Sequence, residues 1–150
     1  MSPDDFFSMI EPTAKQVCGQ YELPWQVCCA QAAIESGWGK YTIGQYNFFG
    51  RKATSDDVVN GKAINEPTSE WNGSEYVSED DYFKLYDSLE EAIDDWCILM
   101  SQDSQYANAF QIWENTQDIT QFVEAMAPVY ATGPNYAQEI LTTISANNLN

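Results

Sequence analysis

Histidine is absent from the 150-residue chain. Its absence removes serine–histidine and cysteine–histidine nucleophile systems, and zinc sites built on imidazole. Acid–base chemistry is left to carboxylates and tyrosines. Positive charge is scarce as well. Six Lys and Arg face 23 Asp and Glu, for a net charge of −17. Nucleic acid and anionic membranes are therefore poor partners, because a phosphate-rich surface repels such a chain. No apolar run reaches the roughly 20 residues needed to cross a bilayer. Residues 1–11 lack the basic start and apolar stretch of a secretory signal. The expectation is a soluble chain that carries no export address of its own. No two of the four cysteines (Cys18, Cys28, Cys29 and Cys97) have C-x-x-C spacing, which argues against a zinc or redox motif. Free buried thiols are the plain reading. Cys18 beside Cys28 or Cys29 is the alternative if their helices pack antiparallel. No metal and no cofactor is expected.

What is present suits one folded unit. Apolar residues make up 44% and aromatics 14%, enough for a core and against disorder. No repeat or low-complexity linker divides residues 1–150. Ser2 and Pro3 open a helix carrying Phe6, Ile10, Ala14, Val17 and Tyr21 at helical spacing. A second helix begins near Pro24, runs through Val27, Cys28, Ala32 and Ile34, and stops at Gly37. Residues 38–52 read as a glycine- and aromatic-rich loop. Residues 53–87 read as a small β lobe, with Asn72-Gly73 as a two-residue hairpin turn and Tyr82–Tyr86 as a third strand. Ser88-Leu89-Glu90-Glu91 matches a capping box before Ile93, Trp96, Cys97 and Met100. Tyr106, Phe110 and Trp113 mark a shorter helix. Ile119, Phe122, Val123, Met126 and Tyr130 mark another. Gly133-Pro134 precedes a last helix with Ala137, Ile140, Leu141 and Ile144 inward. Five or six helices and a small sheet make an α+β fold with segregated elements.

The most informative stretch is Ala33-Ile34-Glu35-Ser36-Gly37-Trp38-Gly39. Glu35 falls in the last turn of an apolar helix, where the partial negative charge of the helix end disfavours a carboxylate. Trp38, Phe48 and Phe49 lie close enough in sequence to help exclude water. Both influences push the pKa upward, toward a group that keeps its proton near neutral pH. A glycosidase general acid needs that property. The bland alternative is a solvated glutamate near a helix end.

Glu35-Ser36-Gly37-Trp38-Gly39, followed by Tyr46-Asn47-Phe48-Phe49-Gly50, resembles the signature of glycoside hydrolase family 73. Thr68-Ser69-Glu70 and Phe83-Lys84-Leu85-Tyr86-Asp87-Ser88 resemble that family's β-lobe segment. Tyr130-Ala131-Thr132-Gly133-Pro134-Asn135-Tyr136-Ala137 resembles its C-terminal tyrosine motif. The three motifs keep the family's order over residues 10–148. The resemblance implies a lysozyme-like, mostly helical body with a small β-hairpin lobe. It also implies a hydrolase of the β-1,4 bond from N-acetylglucosamine to N-acetylmuramic acid in peptidoglycan. Glu35 matches the catalytic acid and Glu70 the second glutamate, while Tyr130 and Tyr136 match tyrosines that line the site. Gly133 stands where the family often has an acidic residue, and the strong negative charge is unusual. Both put fine substrate preference in doubt more than reaction class.

Glu70 would activate water or stabilise charge on the sugar ring, or be one more surface charge. A distant Glu70 leaves inversion through bound water or attack by the substrate's acetamido group. Trp38, Phe48, Trp71, Tyr130 and Tyr136 are candidates for sugar contact. Asn47 either orients the loop or binds an acetamido group. Lys40, Arg51 and Lys52 meet substrate carboxylates or, by preference, pair with the abundant acids. Glu79-Asp80-Asp81 and Asp94-Asp95 lack the pattern of a calcium loop and read as solvated faces. Two alternatives stand beside the glucosaminidase reading. One is a muramidase or lytic transglycosylase on the same polymer, and the other a non-catalytic wall-binding domain. Action in the periplasm or on the wall requires delivery by a phage particle, a lysis or secretion system, or a larger parent protein. A secreted toxin would also imply an immunity protein as partner.

Overall fold

The computed structural model describes the backbone of residues 1–150 and all side chains except those of residues 67–71, 79 and 80. Seven α-helices, one 3-10 turn and one two-stranded antiparallel sheet follow one another along the chain. The α+β class expected from the pattern is the observed one.

Helix α1 spans Pro3–Tyr21. Ser2 caps it reciprocally with Asp5, and Pro3 takes the first position, where its missing N–H costs nothing. Its buried stripe is Phe6, Phe7, Ile10, Ala14, Val17 and Cys18. Helix α2 spans Trp25–Ser36, and residues 27–33 are buried without a break. A helix apolar on all sides belongs in the interior, and α2 packs against both α1 and α7. It ends at Gly37, in the left-handed region at φ 57°. Trp38 follows at φ 62°, so the chain turns sharply straight after the helix. Ser36 fastens that turn: its Oγ donates to the Ala32 carbonyl at 2.7 Å and accepts from the Gly39 N–H at 2.9 Å.

Strands β1 (Ala63–Trp71) and β2 (Tyr76–Lys84) pair from Ala63 opposite Lys84 to Trp71 opposite Tyr76. This register leaves a four-residue connection, residues 72–75, where Asn72-Gly73 suggested two. Asn72 builds the connection with its side chain, accepting from the N–H groups of Ser74 and Glu75 at 2.9 and 3.0 Å. Its carbonyl oxygen therefore does what a tight backbone turn would have done. The expected third strand is also corrected, since Tyr82 to Lys84 complete β2. Its outer neighbour is a single bridge from Lys52 to Phe83. A short helix, α3 (Ser55–Val59), is an element the sequence pattern did not suggest. Thr54 and Asp57 cap it reciprocally.

Helix α4 (Leu89–Gln102) starts at Ser88, whose Oγ accepts from the Glu91 N–H. Only half of the expected capping box forms, because the Glu91 carboxylate accepts instead from the Asp87 N–H at 3.2 Å. A 3-10 turn over Ser104–Tyr106 leads into α5 (Ala107–Thr116), then α6 (Ile119–Tyr130) and α7 (Tyr136–Ala146). Helices α5 and α6 pack together, α6 packs on α7, and α4 closes on α1. One core cluster joins Phe6, Ile10, Val27, Phe49, Ile93, Trp96, Met100, Phe122, Met126 and Ile140. All four cysteines are free and buried in it. Cys18 meets Cys97 across α1 and α4, with sulfurs 3.7 Å apart. Cys18 also interacts with Cys28. Burial pushes the Cys28 thiol up to about 11, so it stays protonated and unreactive at neutral pH. Among the described residues, no helix is long and apolar enough to cross a membrane.

Gly37 is the point where the buried helix surfaces. A Cβ there would meet the Tyr41 ring at 2.7 Å, on a backbone that L-residues rarely adopt. Gly37→Ala should cost about 1 kcal/mol of stability, read as a lower urea midpoint with an unchanged slope.

Candidate active site

The C-terminal end of α2 delivers Glu35 to the surface. Gln31 lies one helical turn earlier, on the same face. It is wholly buried, as is most of the helix around it. From α7, Tyr136 reaches across, only 6% exposed. Its hydroxyl donates to Glu35 Oε2 at 3.3 Å. Gln31 Nε2 donates to the Tyr136 oxygen at 3.2 Å, and Trp96 Nε1 on α4 donates to Gln31 Oε1 at 2.7 Å. Tyr130, at the end of α6, stacks on Tyr136 with ring centroids 5.8 Å apart and planes 10° from parallel. Its hydroxyl donates to the Phe49 carbonyl at 3.0 Å, tying the loop to α6. Glu35, Tyr130 and Tyr136 are thus brought together from three helices.

The Glu35 side chain is open to solvent on one side, while its carboxyl rests against a buried phenol. Loss of water on that inner side raises its pKa above the ordinary glutamate value of 4.5. The Tyr136 hydrogen bond works the other way, because it stabilises the carboxylate. Glu139, one turn along α7, adds like-charge repulsion and raises it again. Beside desolvation, the two side chains that act on Glu35, Tyr136 and Glu139, both come from α7. Burial also carries both tyrosines well above the phenol range, so they act as neutral hydroxyls.

The other expected site residues fall in three places. Phe48 is core, 7% exposed and edge-on to Phe6 at 5.8 Å. Trp38 is half-buried against the same cluster, 6.2 Å from Phe6 and 5.3 Å from Phe7. Asn47 is 2% exposed. Its amide donates to the carbonyls of Arg51 and Lys84 and accepts from the Arg51 N–H, all at 3.0 Å. Every polar atom of that side chain is engaged with backbone, which favours the loop-orienting role over acetamido binding. Glu70 and Trp71 fall among the side chains outside the described residues.

Arg51 pairs with Asp95 at 3.1 Å, and Tyr86 donates to the same carboxylate oxygen. Lys52 pairs with Asp81 at 2.9 Å. Lys40 lies over the Tyr41 ring at 5.4 Å. Pairing with protein acids was the preferred expectation for these cations, and two of the three follow it. Among the described residues, no group of three acidic or cysteine side chains could hold a metal ion. Asp94 instead accepts from the Tyr21 hydroxyl.

Gln31 escaped the sequence pattern, and Trp96 was expected as core, which it is, but not as a partner of this site. Gln31 did carry a signal. It is the one polar side chain in the run from Val27 to Ile34, four residues before Glu35.

Comparison with known proteins places this geometry. The family model "Glucosaminidase: Mannosyl-glycoprotein endo-beta-N-acetylglucosaminidase" matches residues 11–149. The chain is 31% identical over 146 residues to the peptidoglycan hydrolase FlgJ of Pseudomonas aeruginosa, covering 93% of this chain and 35% of that protein. The catalytic domain of the autolysin Auto from Listeria monocytogenes superposes with a TM-score of 0.84 at 30% identity, over 98% of this chain and 85% of that one. The truncated glycoside hydrolase domain of Salmonella typhimurium FlgJ gives 0.78 at 30% identity, over 99% of both chains. The chain spans about a third to a half of the length of the FlgJ relatives.

The raised pKa of Glu35 has a consequence for stability. The folded state holds this proton more tightly than the unfolded chain does, so ionisation opposes folding. The opposition is absent below 4.5 and complete once pH has risen past the folded-state value. Glu35→Gln should therefore melt at a higher temperature than the parent at pH 7. The difference should narrow as pH falls below 4.5, measured by calorimetry across pH.

Proposed function

The chain belongs to the glucosaminidase family of glycoside hydrolases, and from that premise we propose that it cuts the glycan strand of peptidoglycan with Glu35 as general acid. The observation that carries the assignment is the carboxyl at the end of α2. It is shielded on one side, open on the other, and hydrogen-bonded by Tyr136. A group so placed keeps a proton to higher pH than a solvated glutamate, and can pass it to a glycosidic oxygen entering from the open side. The bond proposed is the β-1,4 linkage from N-acetylglucosamine to N-acetylmuramic acid. The family's description, an endo-beta-N-acetylglucosaminidase, supports the N-acetylglucosamine side of that bond, and relatives such as FlgJ carry names that state peptidoglycan hydrolysis.

The second half of the reaction is assigned to Glu70, which would activate water or steady positive charge on the ring. The paired rings of Tyr130 and Tyr136 form one wall beside the acid, and Trp71 would supply a stacking face from the β lobe. Asn47, Trp38 and Phe48 act indirectly by holding the loop that backs the site. The wall is then the place of action, whether reached in the periplasm or from outside.

Digestion of defined peptidoglycan, with borohydride reduction and mass spectrometry of the fragments, tests both the reaction and the bond. Reduced N-acetylglucosamine ends are expected. Muramic acid ends would instead make it a muramidase, and anhydromuramic ends a lytic transglycosylase. Glu35→Gln should lower turnover at least ~10²-fold, the scale on which general acid catalysis contributes, with its fold intact by circular dichroism. Full activity in that variant would remove Glu35 from the role.

A further inference from the structure

Between the core and Glu35 runs a line of hydrogen bonds whose direction is set by chemistry. An indole N–H is only a donor. Trp96 Nε1 lies 2.7 Å from Gln31 Oε1, so the Gln31 amide must turn its oxygen to the indole and its NH2 the other way. That NH2 meets the Tyr136 oxygen at 3.2 Å. The phenol oxygen therefore accepts from Gln31, and its own single proton goes to Glu35 Oε2 at 3.3 Å. Gln31 and Trp96 are wholly buried, and no buried side-chain polar atom among the described residues lacks a partner. Flipping the Gln31 amide would set two donors face to face at Trp96.

We infer that Trp96 and Gln31 are positioning residues for the acid, acting through Tyr136 as a one-way donor relay that binds Glu35 Oε2 and leaves the transferable proton on Oε1. The inference rests on the reading of Glu35 as general acid. Neither residue need touch substrate. Their effect is to make the phenol a committed and strengthened donor, since a hydroxyl that accepts a bond donates a better one. Without that commitment the phenol could turn toward another acceptor, and the carboxyl would then lose the one bond that favours its charged form. The titratable groups facing Glu35 among the described residues are Tyr136 and Glu139 on α7 and Tyr130 on α6, with Arg51 influencing Tyr130. None of them sets the direction of the Tyr136 hydroxyl, a task left to Gln31.

The test is the titration of Glu35 itself, followed by carboxyl 13C NMR in the intact protein. In Trp96→Phe the amide is free to turn and offer Oε1 to Tyr136. The phenol proton leaves Glu35, and the carboxyl should titrate roughly half a pH unit or more higher. Tyr136→Phe should shift it the same way, and the double variant should shift no further than Tyr136→Phe alone. Gln31→Met keeps the indole and serves where the loss of Trp96 unfolds the chain. It should also move the titration upward. The alkaline limb of the kcat/KM profile should follow the NMR value, because a general acid fails as pH rises through its pKa. An unmoved Glu35 titration in folded Trp96→Phe and Gln31→Met would overturn the relay. So would full additivity in the double variant. Activity retained by Glu35→Gln would overturn the reading of the acid instead, while the NMR shifts would still report on the relay.

Discussion

Burial of α2 on every side is the constraint from which the site follows. Nothing polar can sit in the middle of such a helix without an internal partner, because an unpaired buried amide costs on the order of 1–3 kcal/mol. Gln31 is that polar group, and its amide is satisfied from two directions, by Trp96 and by Tyr136. The bonds that settle Gln31 also hold α4 and α7 in fixed relation to α2. The helix can then stop only where water is available. Gly37 and Trp38 supply the left-handed turn that lets it do so one step beyond Glu35. The placement of the carboxyl at the surface, with a buried phenol behind it, is thus a consequence of how the central helix ends.

The charge of the chain plays a different part. With 23 acids and six bases, most carboxylates have no cation to pair with. Three of the cations sit at junctions between elements. Arg51 joins the loop to α4 through Asp95, Lys84 joins β2 to α3 through Asp57, and Lys62 reaches Asp87. Exposed pairs of this kind contribute little each, and the Lys62 pair is of that type. Arg51 and Lys84 are better covered, and Asn47 bonds the backbone of both residues at once. The loop, the hairpin base and α4 are fastened together there, so the hairpin leaves the body from a fixed root. So acidic a chain gains nothing from long-range attraction toward an anionic substrate, and any such binding must rest on short-range contacts.

Much of this could be read along the chain, and the parts that could not share a cause. The ends of α1 and α2 were legible because Ser2, Pro3 and Gly37 act locally, through a cap, a fixed φ and a permitted positive φ. Glu35 was legible for the same reason, as one carboxylate closing an apolar run. The hairpin was legible but its turn was not, since Asn72 used its side chain to bond two later N–H groups. Phe48 and Trp38 share a glycine-rich loop with the site, yet their rings turn inward to Phe6 and Phe7. A loop's composition does not say which way its aromatics face. Gln31 and Trp96 are 65 residues apart, and periodicity assigned Trp96 to the core without revealing what its N–H would bind. Pairings at that range appear only once helices have packed.

A carboxyl can be poised without being trapped only if opposed influences act on it together. Removal of water alone would push the Glu35 pKa further upward. Full exposure would leave it ionised. The structure sets two opposed influences on the same group, with desolvation and Glu139 raising the pKa and the Tyr136 hydroxyl lowering it. Both reach the carboxyl from the protein side. The phenol engages Oε2 from the protein side, and the open side is where a glycosidic oxygen would approach. A hydrogen bond that stabilises the carboxylate grows stronger as the proton departs, so it favours the transition state over the ground state. On the proposed reading of Glu35 as the acid, the raised pKa favours the protonated form, while the fixed donor behind it eases the transfer. Neither influence alone would do both.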